Sequence, residues 1–323
     1  AELLKNEFPE IRQLHLKGYQ IKYSERLPMW LMMLFQVPKI IFSIYGEHQW
    51  LKKVVADEKI DAIISDNRFG LWNKKIKSIY ITHQVMIKCP PGLKFLERIL
   101  YYIHRYFISK YSQCWIPDYH FTDNLSRDLS HKFPLTINAK YIGPLSRFRY
   151  KETLDYRYDI AVVLSGPEPQ RTLIENKLVK ELQSFPGRAI IVGGKPSEKR
   201  KEINGAVNMV SFLPAHALEK VISESRLVIC RAGYSGIMDL ISMRKNAILI
   251  PTPGQTEQEY LASQLMKKRI LFCMAQRKFN LATAMEESKN YSVENFRTEE
   301  NTEDLLAKAI EEFMAYGPQT PGS

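Results

Sequence analysis

The chain has 323 residues, 45% of them hydrophobic and 25% charged. That is ordinary globular composition at a length that fits two domains, and it excludes a low-complexity or fibrous chain. Its formal charge of +11 is unevenly placed, with 23 Lys and Arg against 13 Asp and Glu in residues 1–150 and a nearly neutral 23 against 22 in the remainder. A one-sided basic surface calls for an anionic partner, either nucleic acid or an anionic membrane. Cys89, Cys114, Cys230 and Cys273 form no CxxC pair, which speaks for reduced thiols in a cytoplasmic protein and against a zinc site.

The sequence opens on Ala1, with no initiator Met and no signal-peptide pattern. A helix over 1–6 leading into a strand over 11–16 is expected. Since an α/β domain normally opens on a strand, the first strand and its loop are expected to be missing ahead of Ala1. Residues 27–45 are long and apolar but interrupted by Pro28, Pro38 and Lys39, which argues against a membrane span of roughly 20 apolar residues. Strands follow at 62–65 and 79–82. Residues 93–111 place Leu, Ile, Tyr and Phe at helical spacing among Lys94, Arg98, Arg105 and Lys110. Such a helix either packs its apolar face on a sheet or lies in a membrane interface, and the basic charge of this half favours membrane contact. Further strands are expected at 119–122 and 140–142.

After a polar connection, RFRYKETLDYRYD, the pattern repeats. Strands are expected at 160–164, 189–192, 208–211, 227–230 and 247–250, with helices at 172–183, 215–224, 235–243 and 257–267. Short continuous apolar strands alternating with helices imply parallel sheets covered on both faces. The expected fold is therefore α/β, with two doubly wound Rossmann-like domains, 1–150 and 151–323, facing a cleft into which the carboxyl ends of the strands point.

Three strand–turn–helix junctions in the second half carry the chemistry. In SGPEPQRT, Ser165 and Gly166 allow close approach of a ligand, Thr172 is an N-cap or first-turn residue, and Arg171 adds a positive charge to the helix start. In RAGYSGIMD, Arg231, Gly233 and Gly236 shape the turn, Ser235 caps the helix or donates to a phosphate, and Asp239 stands one helical turn further on. A helix N-terminus attracts phosphate, and a carboxylate beside it suits the two hydroxyls of a ribose. In PTPGQTEQE, Gln255, Glu257, Gln258 and Glu259 supply hydroxyl or phosphate partners. Together the turns describe a nucleotide-diphosphate pocket without the lysine of an NTPase loop.

These motifs, with the VSFLPAH turn at 210–216, resemble the C-terminal domain of glycosyltransferase family 28, enzymes of the GT-B fold. The resemblance covers residues 160–270. It implies that Asp239 binds the nucleotide ribose, Gln258 contacts the donor sugar, and the backbone near Leu213 pairs with a uracil edge. It implies further that an arginine in a Gly-x-x-x-Arg turn, here Gly143 to Arg147, binds the diphosphate. The family more often has Glu at the acid position and Gln where this chain has Glu259. In the first half the resemblance is one of pattern: SDN and THQ place Asp66, Asn67, His83 and Gln84 at strand ends on the acceptor side. His83 is the candidate general base, although the family's favoured histidine lies in a loop after the first strand that has no counterpart here.

The expected activity is transfer of a sugar, without metal or cofactor, from a nucleotide-diphosphate donor (a UDP-sugar) to a hydroxyl of a lipid-linked or membrane-proximal acceptor. The protein is expected to sit peripherally at the inner, cytoplasmic face of the membrane, on anionic lipid, with no nucleic-acid partner. The chain has no DxD pair to hold a divalent ion, so helix N-termini and Arg147 or Arg171 are expected to take the charge of the leaving diphosphate. The rivals are a UDP-GlcNAc 2-epimerase of the same fold and a nucleic-acid-binding protein.

Overall fold

The structure is a computed structural model that describes residues 8–16, 29–89, 91–121, 123–153, 155–194, 201–204, 206–297 and 302–315. The chain folds into two compact units, residues 14–145 with the tail helix and residues 146–297. The first unit has helix α1 (Met29–Asp57), strands β1 (Ala62–Asp66) and β2 (Lys77–Ile81), helix α2 (Leu96–Ile108), and strands β3 (Gln113–Ile116) and β4 (Ala139–Tyr141). Its sheet runs β1-β2-β3-β4 and is parallel throughout.

The second unit begins with β5 (Tyr158–Val163), α3 (Gln170–Leu182), β6 (Ala189–Val192), β7 (Lys201–Asn204), β8 (Val207–Val210) and α4 (Ala215–Ser223). It continues with β9 (Ser225–Cys230), α5 (Tyr234–Ser242), β10 (Ala247–Leu249), α6 (Thr256–Lys267), β11 (Phe272–Cys273) and α7 (Leu281–Ser288). The tail helix α8 (Thr302–Ala315) lays Ala309 and Phe313 on Ile79, Trp115 and Ile142. The last helix of the chain thus completes the first unit.

The second sheet has the order β11-β10-β9-β5-β6-β8-β7, parallel except for the β7–β8 pair. Alternation along a strand explains why both faces are covered. On one side Ile160 and Val162 meet Ile174, Leu178 and Leu182 of α3, and on the other Ala161 meets Val221 of α4. Because β10, β9 and β5 are neighbours and parallel, the three turns that follow them stand side by side on one edge of the sheet.

Two strand expectations fail locally. Residues 11–16 form no strand, and the helix expected over 1–6 lies outside the described residues. The strand expected at 119–122 is replaced by β3, which lies six residues earlier at both ends. Asp118 is fully buried, and its carboxylate accepts Tyr119 N–H, Leu125 N–H and Ser126 N–H, each at 2.8 Å, which curls the chain around it. The apolar run at 27–45 is carried into a helix that continues through Pro38. Among the described residues no helix is long and apolar enough to cross a membrane.

Candidate nucleotide site and acceptor-side loops

The turn after β9 is built around Arg231. The residue is buried, and its Nη1 donates to Gln276 Oε1 at 2.8 Å, to Ile250 O at 3.3 Å and to Pro251 O at 3.5 Å, while Nη2 donates to Gln170 O at 2.7 Å. Gln276 Nε2 donates in turn to Gln170 Oε1 at 3.0 Å. One guanidinium therefore ties the ends of β9 and β10 to the start of α3. Burial pushes its pKa down to about 10, which still leaves it charged near neutral pH. A nucleotide-binding candidate on sequence grounds, Arg231 instead spends both Nη groups on protein oxygens, which fits its role in shaping the turn.

Arg171 turns inward in the same way. It is buried against Glu168, donates to Glu175 Oε2 at 2.8 Å and to Gly193 O at 2.7 Å, and has no free face toward a phosphate. Glu168 also accepts Thr172 N–H at 3.2 Å and Thr172 Oγ1–H at 2.8 Å. The N-terminus of α3 thus already holds a carboxylate of its own, held below the usual carboxylate range by Arg171. Thr172 is not the cap, since Pro169 occupies that position. Ser165 and Gly166 remain exposed at the β5 end, with Gly166 at φ +103°.

Helix α5 is different. Its N-cap is Gly233, no side chain caps it, and its first turn carries no acid. Ser235, expected as the cap, is an exposed residue inside the first turn. A Cβ on Gly233 would meet nothing within 4 Å, and one on Gly236 would meet only Arg231 O at 4.0 Å. The start of α6 likewise has no side-chain cap, but it carries Glu257 and Glu259 in its first turn, whereas α5 combines a start without an acid with open space before it, which suits an anion.

Asp239 stands on the same helix, half-buried, and its Oδ1 accepts a 2.6 Å hydrogen bond from Ser146 Oγ. Burial raises its pKa, opposed by the Ser146 hydrogen bond and then by the Arg147 charge. Arg147 is exposed, with its guanidinium 4.9 Å from the ring of the buried Phe148. Ser146 escaped notice in the sequence. The only signal for it was its place beside Arg147 in the GPLSR turn.

The turn after β10 is folded on itself. Gln258 Oε1 accepts Thr252 N–H at 2.9 Å, Gln258 Nε2 donates to Gln255 Oε1, and Glu259 Oε1 accepts Gly254 N–H at 3.0 Å. Both ends of the Gln258 amide and one oxygen of Glu259 are engaged within the loop, and among the described residues the second Nε2–H of Gln258 and the Gln255 Nε2 donors have no acceptor. Gln255 is also the N-cap residue of α6 by position, without a side-chain bond. Leu213, on the turn after β8, packs its side chain against the cluster under α4, so any pairing with a base there falls to its backbone.

In the first unit the ends of β1 and β2 are pinned together. Asn67 has φ +52°, and its Oδ1 accepts from Tyr80 Oη at 3.0 Å and from Thr82 Oγ1 at 3.3 Å. Thr82 Oγ1 also accepts Gln84 N–H at 3.1 Å. A non-glycine residue held in this backbone region is a mark of a functional loop. With its oxygen committed, Asn67 has its Nδ2 donor to offer. His104 of α2 is buried, and burial lowers its pKa to about 4. The neutral ring donates from Nδ1 to Gln84 O at 3.2 Å and so fixes the loop that carries His83. His83 is half-buried and Asp66 is exposed. Among the described residues no group of three or more His, Cys, Asp or Glu side chains is placed to hold a metal ion.

Residues 164–314, a little under half of the chain, match the glycosyltransferase family 28 C-terminal domain. A UDP-N-acetylglucosamine–N-acetylmuramyl-(pentapeptide) pyrophosphoryl-undecaprenol N-acetylglucosamine transferase of Elusimicrobium minutum is 35% identical over 80 residues, 24% of this chain. The matched part spans about a fifth of that relative, 22% of its length. Among solved structures, the glycotransferase of kitacinnamycin superposes with TM-score 0.53 at 13% identity, covering 91% of this chain and 82% of that one. MnaA of S. aureus, solved with UDP, superposes with TM-score 0.51 at 10% identity, over 86% of this chain and 82% of that one. The fold is the expected one, GT-B.

Replacing Arg231 by Met strands the carbonyls of Ile250 and Gln170 and the amide of Gln276. Hydrogen bonds to charged groups contribute about 1.5–3 kcal/mol each, so the second unit is expected to lose about 3 kcal/mol in a urea titration, whereas exposed Arg147→Met leaves the midpoint in place.

Proposed function

We propose that the protein is a glycosyltransferase that moves a sugar from a UDP-sugar to a hydroxyl of a lipid-linked or membrane-proximal acceptor, working as a peripheral protein at the cytoplasmic face of a membrane. The observation that carries this reading is Asp239, a half-buried carboxylate on a helix whose N-terminus has no cap and no acid, with Arg147 beside it, inside the stretch that matches the family 28 domain.

The second unit, 146–297, is the donor side. The ribose hydroxyls donate to the Asp239 carboxylate. The amides at Gly233 to Gly236 and the Arg147 guanidinium take the diphosphate, and Ser165 and Gly166 line the neighbouring strand end. Backbone near Leu213 meets the base, and Gln255, oriented by Gln258, meets the sugar. The first unit is the acceptor side, with Asp66, Asn67 and Gln84 as contacts. His83 takes the acceptor proton as the acceptor oxygen bonds to the anomeric carbon and the bond to the diphosphate breaks. Negative charge grows on the departing UDP, and helix amides and a fixed cation stabilise it without reorganising. The match is to transferases, which does not favour the 2-epimerase reading.

Two features support a membrane-borne acceptor. The Elusimicrobium minutum relative acts on a pyrophosphoryl-undecaprenol. In this chain α2 buries Tyr101, His104 and Ile108 but exposes Ile99, Tyr102, Ile103 and Tyr106, following exposed Phe95 and flanked by exposed Arg98 and Arg105. One face of this helix packs inward and the other is exposed, which supports the membrane reading of the exposed face. Helix α1 adds exposed Ile41, Phe42 and Tyr45. Aromatic and apolar side chains among Arg and Lys suit an anionic lipid interface.

Calorimetry in EDTA is expected to show UDP binding to the wild type and at least about tenfold weaker binding, about 1.4 kcal/mol, to Asp239→Ala. Metal-dependent binding, or full affinity in the variant, contradicts the donor site. In flotation assays the protein is expected to rise with vesicles containing anionic lipid, and Ile99→Asp with Tyr102→Asp to remain at the bottom. Equal flotation of the two proteins contradicts the membrane face.

A further inference from the structure

We propose that Ser146 is a positioning residue of the donor site, whose hydroxyl aims the Asp239 carboxylate at the ribose hydroxyls. The proposal rests on the reading of Asp239 given above and adds a role for Ser146, one of the unspecified positions inside the Gly143–Arg147 turn. It lies at the junction where the chain enters the second unit.

The geometry is specific. Ser146 Oγ lies 2.6 Å from Asp239 Oδ1, a length typical of a hydroxyl donating to a charged oxygen. The same Oγ accepts Phe148 N–H at 3.0 Å, and the one other acceptor within its reach, Phe148 O, is farther at 3.2 Å. The charged and closer oxygen therefore wins the serine proton. Phe148 is buried, so the loop that carries Ser146 is anchored in the core of its unit. Among the described residues Asp239 Oδ2 accepts no hydrogen bond, and this leaves one carboxylate oxygen for the ligand while the other is held.

The electrostatics make the serine necessary. Asp239 sits where burial favours its neutral form, and a neutral carboxyl is a poorer acceptor for a ribose diol. Ser146 and Arg147 are the groups that pull the other way. The remaining titratable neighbour, Cys230, is neutral because burial and the Asp239 charge push its thiol up to about 12. A hydrogen bond to the charged form of an acid lowers its pKa. Removing Ser146 therefore raises the pKa of Asp239, and binding that needs the carboxylate fails at a higher pH on acidification.

The test follows UDP affinity by calorimetry from about pH 4 to about pH 8 for the wild type, Ser146→Ala, Ser146→Thr and Asp239→Asn, with the Asp239 carboxyl titrated by NMR in the unliganded wild type and serine variants. Expected are about fivefold to tenfold weaker binding by Ser146→Ala near neutrality, corresponding to one hydrogen bond to a charged group. The acid limb of its affinity curve and its carboxyl midpoint should both move up, and Ser146→Thr should restore both. An unmoved midpoint, or a loss of affinity equal at every pH, overturns the proposal while leaving the donor site standing. Full affinity in Asp239→Asn overturns both.

Discussion

One buried guanidinium holds the turns of the second unit together. Arg231 reaches the carbonyls that end β10 and the carbonyl that opens α3, and it shares Gln276 with Gln170. A buried charge is costly unless its donors are met, and here four acceptors meet its two Nη groups, while Nε has no partner among the described residues. Three turns on neighbouring parallel strands are fixed relative to one another by this one side chain. That arrangement lets the adjoining loops be rich in glycine and exposed at their tips without losing their mutual register.

The distribution of charge among those turns then decides where an anion belongs. Helix α3 has its N-terminus answered by Glu168, whose carboxylate is itself held by Arg171. Helix α6 begins with Glu257 and Glu259 in its first turn. Helix α5 has neither acid nor cap, and it carries Asp239 one turn in from the open end. A nucleotide laid along α5 would find amides for phosphate and a carboxylate for ribose in the order in which a nucleoside diphosphate presents them. The first unit has a comparable economy: Thr82 and Tyr80 spend their hydroxyls on Asn67, and His104 spends its only N–H on the Gln84 carbonyl.

Most of this fold was legible in the sequence, because alternating apolar strands and helices report burial and burial is what a doubly wound sheet needs. The strand ends at 160–164, 227–230 and 247–250 lay within a residue or two of β5, β9 and β10. What stayed hidden were the partners of polar groups. Arg171 and Arg231 look alike in sequence whether they turn outward to a phosphate or inward to carbonyls, and only packing shows that they turn inward. Asp118 carried no signal in the sequence, yet its three backbone bonds curl the chain where a strand was expected. The bond between Ser146 and Asp239 joins residues 93 positions apart, a separation at which periodicity carries no information. The tail helix, whose Phe313 packs on Trp115 of the first sheet, is a long-range return of the same kind.

Hydrogen exchange with and without UDP, in the presence of a chelator, tests the assignment of the nucleotide to α5 most directly. If the nucleotide lies there, UDP slows exchange at the amides of residues 231–240 and in the loop 252–258, while α7 and the β7–β8 pair are unchanged. Protection confined to the first unit, or no protection anywhere at saturating UDP, contradicts that placement.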